Sequence, residues 1–276
     1  VKESISTFYS NNYSFHSNKF RLSLFIKNLL DWVAWSALIT KLSFLFPKKI
    51  NQILINFLKP RINDPVLEYL NSKKNLIDDL SFLDIGCGSG LSANFWGSKS
   101  SLNKLSKKFI NTFGVEPSIS ARKILSKNKI SSYGDIEEIN NKHKFHVIRL
   151  NWSLEHVHSP SRYFSFINSH LTKDGIAVIC VPNTDGILYR INPSALELPV
   201  HLFHFDLNSL VNYAEKFNLK VINQLTFSYP GMYLFAEKIG LISDNYKFNN
   251  LNLLNASNLM QFHGMLDDLG LGNDIL

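Results

Sequence analysis

Three glycines and an acid follow a short apolar stretch, where the pattern changes from strand to helix. They are Gly86, Gly88 and Gly90, preceded by Asp84 and interrupted by Cys87. Glycine allows positive φ and a close approach of the backbone to a ligand, and the N–H groups that open the next helix bind anionic groups. The spacing G-x-G-x-G departs from the dinucleotide fingerprint G-x-G-x-x-G. The preceding carboxylate can pair with an ammonium group, which a pyrophosphate ligand does not have.

Two further acidic segments follow the next predicted strands. Glu116, with Pro117 after it, comes about 26 residues after the last of those glycines. In a doubly wound sheet, an acid at this place can accept hydrogen bonds from both hydroxyls of a ribose. Asp135 and Ile136 come one strand later. Here a carboxylate can accept a hydrogen bond from an adenine amino group, with the isoleucine against the face of the ring.

A fourth segment runs from Asn151 to Val157 and reads N-W-S-L-E-H-V. Like the other three, it follows a predicted strand. Open α/β sheets bind ligands outside the carboxyl ends of their strands. The four segments are therefore expected to line one ligand site.

This ordered set resembles the class I S-adenosylmethionine-dependent methyltransferases. It is most similar to the small-molecule group with an L-E-H-V segment, which includes ubiquinone-pathway O-methyltransferases, and to surface-polysaccharide methyltransferases. The resemblance covers about residues 80–237. One position departs from the family pattern: His146 stands where the fourth strand usually reads F-D-V-I. The resemblance implies S-adenosyl-L-methionine as the cofactor and S-adenosyl-L-homocysteine as its product.

The resemblance also implies which part of the cofactor each segment holds. The glycine turn and its aspartate would hold the methionine part, the glutamate the ribose, the Asp-Ile pair the adenine, and the asparagine the sulfonium end. The positions implied are Asp84, Gly86, Cys87, Gly88, Gly90, Glu116, Pro117, Asp135, Ile136 and Asn151.

Methyl transfer from a sulfonium mainly requires that the acceptor be aligned and water be excluded. An oxygen acceptor of high pKa also needs a general base. The candidates are His156, after the fourth strand, and His201 and His204, on a long segment with glycine, proline and no periodicity. Imidazole can take a proton near neutral pH. The alternative is that these histidines are structural, with His156 capping a helix or holding Glu155.

Alternating strand and helix patterns begin at Ser81 and must position these segments. The predicted strands are Ser81–Ile85, Thr112–Glu116, Ser131–Tyr133, Phe145–Leu150, Ile176–Val181, Leu219–Phe227 and Met232–Glu237. The predicted helices are Leu91–Phe109, Ser118–Lys127, Ser161–Leu171 and Leu207–Phe217, and Lys173–Gly175 is a predicted turn. The alternation predicts an α/β fold with a parallel sheet between helices. The resemblance implies a Rossmann-like, doubly wound, seven-stranded sheet that is mostly parallel, with an antiparallel last strand.

Three regions are predicted along the chain. Residues 1–78 form a helical N-terminal extension, with helical periodicity and no glycine. This extension packs on the main domain, closes over the site as a lid, or makes a peripheral membrane contact through residues 20–60. Residues 79–239 form the methyltransferase domain. Residues 240–276 form a C-terminal tail to which the sequence assigns no role.

The composition sets limits on class and compartment. The chain has 276 residues, 45% of them hydrophobic and 18% charged, which suits one α/β domain with an appendage. Two cysteines and the lack of a secretory pattern favour a cytoplasmic protein, with membrane association as the further option, and no Cys/His spacing indicates a metal site. No apolar run reaches the length of a membrane span. The many Lys and Asn residues suggest an AT-rich bacterial genome.

The sequence thus predicts methylation of a small molecule or glycan, with O-methylation of a sugar, lipid-linked or phenolic acceptor as the leading hypothesis. The oligomeric state stays open. A net charge of +7 suits nucleic acid as well. However, the amino-methylase motif N/D-P-P-Y/F/W is absent at Asn151, and Cys180 lies within a buried strand pattern, unsuited to nucleophilic attack. A further alternative is an inactive cofactor-binding scaffold.

Overall fold

The computed structural model describes residues 64–73, 79–90, 100–107, 111–191, 198, 200–228 and 265–276. Most of the predicted N-terminal extension, including the candidate membrane contact at residues 20–60, lies outside these ranges. So do the predicted strand Met232–Glu237 and the first half of the predicted helix Leu91–Phe109. In the described part of the chain, no helix is long and apolar enough to cross a bilayer.

A seven-stranded sheet forms the centre of the described structure, with the order β3-β2-β1-β4-β5-β7-β6. Its strands are β1 Ser81–Ile85, β2 Asn111–Val115, β3 Ser131–Tyr133, β4 Phe145–Asn151, β5 Leu171–Pro182, β6 Thr226–Phe227 and β7 Asp274–Ile275. The pairs among β1 to β5 are parallel, and β7 is antiparallel to both β5 and β6. The predicted α/β architecture, with a mostly parallel sheet and an antiparallel last strand, is confirmed.

Helices connect the strands and cover the sheet. They are α1 Pro65–Ser72, α2 Leu102–Leu105, α3 Ile119–Lys127, α4 Pro160–His170, α5 Ile187–Ile191 and α6 Leu207–Lys216. Local sequence explains where several begin. The Ser118 hydroxyl accepts a hydrogen bond from the N–H of Ala121 at the start of α3, and Asp206 and Ser209 form a reciprocal capping box on α6.

Alternate residues of the central strands pack into two cores, one on each face of the sheet, because successive side chains of a strand point to opposite sides. Leu83 and Ile148 belong to one cluster. Phe82 and Val147, their neighbours in sequence, belong to the other. All five residues of β1 are buried. The strand that leads into the glycine turn is therefore held rigidly on both faces.

Strand β5 begins earlier than the sequence pattern indicated. The predicted turn at Lys173–Gly175 is wrong, since β5 runs continuously from Leu171 to Pro182. Its pairing with β4 shifts register between Phe145 and Val147. This irregularity absorbs the polar residues that resemble a turn in the sequence.

The last strand comes from the end of the chain. β7 is Asp274–Ile275, inserted between β5 and β6, in a region to which the sequence assigned no element. β6 is also shorter than the predicted Leu219–Phe227, since only Thr226 and Phe227 pair with β7. The described part of the predicted C-terminal tail, residues 265–276, is thus an integral part of the sheet.

Candidate functional site

The glycine turn after β1 has a backbone that side chains would strain. Gly86, Gly88 and Gly90 have φ values of +76°, +53° and +83°. A Cβ on Gly86 would lie 2.4 Å from the Cβ of Ser153, whose hydroxyl donates to the carbonyl of Ile85 at 2.9 Å. The turn therefore packs directly against the segment that follows β4. It brings two of the four predicted segments into contact.

Glu116 joins the second segment to the same turn. Its Oε2 accepts a hydrogen bond from the Gly88 N–H at 2.9 Å, and its Oε1 accepts one from the Ser118 N–H at 2.8 Å. Arg122 donates to the carbonyl oxygens of Glu116 and Pro117, which fixes the backbone behind the carboxylate. Glu116 is buried. A buried carboxylate beside a glycine turn is a suitable acceptor for the hydroxyls of a ribose.

Both carboxylate oxygens of Asp84 already accept hydrogen bonds within the protein, so neither is left for a ligand. Arg149 donates from Nε to Oδ1 at 2.9 Å and from Nη2 to Oδ2 at 2.6 Å, and both side chains are almost fully buried. Arg149 also donates to the carbonyl and hydroxyl oxygens of Ser100. Burial opposes the charged guanidinium, but Asp84 offsets it, so the pKa of Arg149 lies above its ordinary value. The carboxylate that the sequence assigned to an ammonium group has a guanidinium as its partner here.

Asp135 lies at the end of β3, as expected, and is partly exposed. It forms an ion pair with Arg162, which also contacts Glu137 at 2.9 Å. Its Oδ1 accepts a hydrogen bond from the Glu137 N–H. Ile136 is 3% exposed and packs into the core. The aspartate thus lies where an adenine amino group is expected, whereas the isoleucine side chain is part of the core.

Asn151 ends β4 and carries a buried oxygen atom. Its Oδ1 accepts no hydrogen bond within the described ranges. Burying an amide oxygen without a partner is unfavourable by about 1–3 kcal/mol. A ligand that donates a hydrogen bond would satisfy it, so this atom is an independent indication of a binding site at the end of β4.

Trp152 and Asp274 lie next to this position, and sequence reasoning did not assign a role to either. Trp152 has φ +49°, and its indole N–H donates to Asp274 Oδ1 at 2.7 Å. Asp274 is 1% exposed. Burial raises the pKa of Asp274 to about 7, against the effect of the Trp152 hydrogen bond and with a smaller contribution from Asp267. The last strand thus delivers a buried acid to the same edge of the sheet.

The three candidate catalytic histidines come together at this edge. The His156 and His201 rings are 4.7 Å apart between centroids, and the His201 and His204 rings are 6.4 Å apart. His156 Nδ1 lies 3.2 Å from the carbonyl oxygen of Val200, so the loop before His201 is held against the short 3-10 turn Leu154–His156. The sequence named these residues separately, and tertiary structure makes them one cluster.

Burial and a neighbouring histidine determine the charge of His201. Burial, with a smaller effect from His204, lowers the pKa of His201 to about 4. His201 is therefore neutral at pH 7 and offers a lone pair. With Glu155 and His156, it provides three potential ligand atoms within 4.8 Å of one another, a set able to hold a metal ion.

Both cysteines are buried and unsuited to nucleophilic chemistry. Burial raises the pKa of the Cys87 thiol well above its ordinary value, and the charges of Asp84 and Glu116 raise it further. Burial does the same for Cys180, which lies in β5. Because the thiolate is the reactive form, neither residue supports covalent catalysis.

These residues fit S-adenosylmethionine in several respects. The glycine turn, the carboxylate of Glu116 and the buried oxygen of Asn151 lie along the carboxyl ends of β1, β2 and β4.

Arg149 is the residue that sequence reasoning missed and that changes the description of the site most. A charged residue within the apolar strand pattern Phe145–Leu150 was the available signal, because a buried arginine requires a partner.

The chain is similar to known proteins in sequence and in fold. A family model described as a methyltransferase domain matches residues 35–224. None of the curated proteins matches this sequence. Among solved structures, a SAM-dependent methyltransferase from Archaeoglobus fulgidus is 17% identical, with 79% of this chain and 93% of that chain covered and a TM-score of 0.46. An S-adenosylmethionine-dependent methyltransferase from Clostridium acetobutylicum is 15% identical, with 66% and 90% covered and a TM-score of 0.43.

Proposed function

This chain belongs to the methyltransferase-domain family, and from that premise we propose that it methylates an oxygen of a small molecule or glycan. It is an S-adenosylmethionine-dependent methyltransferase. A sugar, a lipid-linked intermediate and a phenol are the acceptor classes of the proposal. A peripheral membrane contact through residues 20–60 would suit a lipid-linked acceptor.

The observation that carries the cofactor-binding part of the proposal is the contact between Glu116 and Gly88. A single carboxylate closes the glycine turn from the neighbouring strand, at 2.9 Å from the Gly88 nitrogen. The turn and the ribose-binding acid are thus preorganised as one unit. Preorganised groups bind a ligand without a further loss of conformational freedom.

The cofactor supplies a methyl group activated on a sulfonium. The protein's own residues align the acceptor with this methyl group, shield the site from water and remove the proton of the acceptor hydroxyl. In the proposal, Glu116 accepts hydrogen bonds from the ribose, and Asp135 from the adenine amino group. The oxygen of Asn151 accepts a hydrogen bond from a donor at the methionine end, which satisfies an otherwise unpaired buried atom. Asp84 helps to hold the glycine turn through its pair with Arg149.

The proton of the acceptor hydroxyl must pass to a base. The three histidines lie at the edge of the sheet where the acceptor is proposed to bind. His156 is more accessible than His201, with 23% of its side chain exposed, and unlike the exposed His204 it belongs to the turn that follows β4. His201 is neutral at pH 7, but its pKa of about 4 makes it a weak proton acceptor. We assign His156 to proton removal, with His201 and His204 shaping the acceptor side.

Calorimetry with S-adenosylhomocysteine tests the cofactor part of the proposal. The wild-type protein is expected to bind in the micromolar range. Glu116→Gln removes the negative charge that receives the ribose hydroxyls and should weaken binding at least tenfold. Glu137→Gln is the matched control, because Glu137 is an exposed acid of the neighbouring segment, and it should bind as wild type does. A folded wild-type protein that binds no S-adenosylhomocysteine would refute the proposal.

The acceptor part is tested by transfer of a labelled methyl group to a panel of sugars and phenols. His156→Asn should abolish most transfer at pH 7 while S-adenosylhomocysteine affinity is retained. Wild-type turnover in that variant would show that His156 is not the proton acceptor.

A further inference from the structure

Glu155, His156 and His201 form a compact group at the carboxyl end of β4. Glu155 and His156 belong to the 3-10 turn Leu154–His156, and His201 reaches them from the segment after β5. Each offers one potential ligand atom, and these atoms lie within 4.8 Å of one another. Glu155 is 1% exposed and His201 is 7% exposed. A carboxylate and two imidazoles are thus gathered in a largely water-excluded place.

The separations suit a shared cation better than direct hydrogen bonding. Glu155 Oε1 and His156 Nε2 are 3.7 Å apart, beyond the range of a hydrogen bond. Two ligands of a tetrahedral zinc ion, each bound at about 2.0–2.1 Å, lie about 3.4 Å apart. The remaining pairs of ligand atoms lie within 4.8 Å of one another.

The surrounding backbone orients these ligands. The His156 Nδ1–H donates to the carbonyl oxygen of Val200, so the other ring nitrogen, Nε2, lies on the side of Glu155. The N–H groups of Leu202 and Phe203 donate to the carbonyl oxygen of Glu155, at 2.8 and 3.1 Å. Metal-binding histidines typically use their second nitrogen in such a bond. The two segments are therefore tied together before any ion binds.

We propose that Glu155, His156 and His201 bind one divalent transition-metal ion. Two imidazoles and one carboxylate are ligands that Zn²⁺, Mn²⁺ and Fe²⁺ accept, and three protein ligands leave at least one position open. Such an open position is typical of catalytic rather than structural sites.

The role of the ion rests on the proposed function. An acceptor hydroxyl bound at the open position would have a lower pKa, because the cation stabilises its oxyanion. With the ion bound, His156 is a metal ligand and no longer the proton acceptor, so the hydroxyl proton leaves to solvent, the O–CH₃ bond forms, and the S–CH₃ bond of the sulfonium breaks. On a five- or six-coordinate ion such as Mn²⁺ or Fe²⁺, which three protein ligands leave with more than one open position, an acceptor with two adjacent hydroxyls, such as a catechol or a vicinal diol, would bind through both. This predicts the substrate class more narrowly than the fold does.

The test uses the metals alone, on chelator-treated protein without a histidine tag. Calorimetry with Zn²⁺ and electron paramagnetic resonance with Mn²⁺ should show one ion per chain. Glu155→Gln, His156→Asn and His201→Asn should each weaken binding at least tenfold. His158→Asn is the matched control, since His158 is an exposed histidine two residues from His156, and it should bind as wild type does.

Binding of S-adenosylhomocysteine to the same variants separates the two hypotheses. If the variants keep that affinity and lose the metal, the site is supported and misfolding is excluded. Metal binding that is absent in the wild type, or equal in all four variants, overturns the metal site even where S-adenosylhomocysteine binds normally. Loss of S-adenosylhomocysteine binding in the wild type would instead count against the proposed function alone.

Discussion

Asp84 of β1 and Arg149 of β4 are direct partners in register, and two parallel hydrogen bonds join them beneath the glycine turn. The pair lies on the face of the sheet that also carries the buried side chains of Phe82 and Val147. Asp64, at the start of α1, adds a third buried charge that acts on Arg149, and burial raises the pKa of Asp64. The network therefore links helix α1 to the two central strands of the sheet.

Breaking this pair should destabilise the protein strongly. Arg149→Met leaves Asp84 buried without its partner, and such changes reduce the free energy of unfolding by about 3–5 kcal/mol. Urea unfolding followed by circular dichroism measures the effect. Arg190→Met is the control, because Arg190 and Asp185 form an exposed pair whose loss should change stability by less than about 1 kcal/mol. Equal effects at the two sites would contradict the structural role of Arg149.

Replacing Gly86 should be far more harmful than replacing another glycine of the same backbone conformation. Gly86→Ala combines a φ of +76° with a Cβ placed 2.4 Å from Ser153. Gly270 has a φ of +77° and open space around it, so Gly270→Ala isolates the backbone effect. We expect a loss of about 1–2 kcal/mol at Gly270 and at least twice that at Gly86. Thermal and urea unfolding of both variants measure these losses of unfolding free energy. Similar losses at the two positions would show that the contact between the added Cβ and Ser153 relaxes easily.

Removing the unpaired oxygen of Asn151 should lower the affinity for the cofactor without lowering the stability of the folded protein. Asn151→Leu deletes a buried acceptor that has no partner among the described residues, so the unfolding free energy should stay constant or rise by about 1 kcal/mol. Affinity for S-adenosylhomocysteine should fall at least tenfold, because the ligand loses a hydrogen-bond acceptor. Calorimetry and urea unfolding on the same sample make the comparison. Unchanged affinity would show that Asn151 does not contact the cofactor.

Asp274 should make the stability of the protein decrease as pH rises. The pKa of Asp274 is about 7 in the folded protein, against an ordinary value of 3.8 for an exposed aspartate in the unfolded chain. Between these two values the folded state binds a proton that the unfolded state has released, so the unfolding free energy falls from about pH 4 to pH 7. Asp274→Asn should remove this slope and be the more stable form at pH 8, by roughly 2–4 kcal/mol.

Chemical denaturation from pH 5 to pH 8 measures this dependence. The difference in unfolding free energy between wild type and Asp274→Asn should grow with pH in favour of the variant. Trp152→Phe removes the hydrogen bond to Asp274 that favours the charged form, so the pKa of Asp274 should rise further and the decrease in stability should extend to higher pH. A difference that is constant with pH would show that Asp274 does not titrate in this range.

Local patterns in the sequence predicted much of the sheet and the cofactor segments. The helix Ile119–Lys127 begins after its expected cap at Ser118, and β1 and β3 have the predicted bounds. These features depend on residues close in sequence, whose periodicity and capping are readable directly. The turn expected at Lys173–Gly175 is instead part of a continuous β5, where the pairing with β4 shifts register and these residues form an irregularity within the strand.

By itself, the sequence determined the order of the strands from β1 to β5, the glycine turn and the acids at the ends of β2 and β3, because alternation and turn chemistry are local properties. Tertiary structure alone decided that Arg149 pairs with Asp84, that His201 joins His156 from about 45 residues away, and that the end of the chain supplies β7. The physical reason is that such contacts depend on strand register and on how loops close. Neither leaves a periodic signal in the residues concerned.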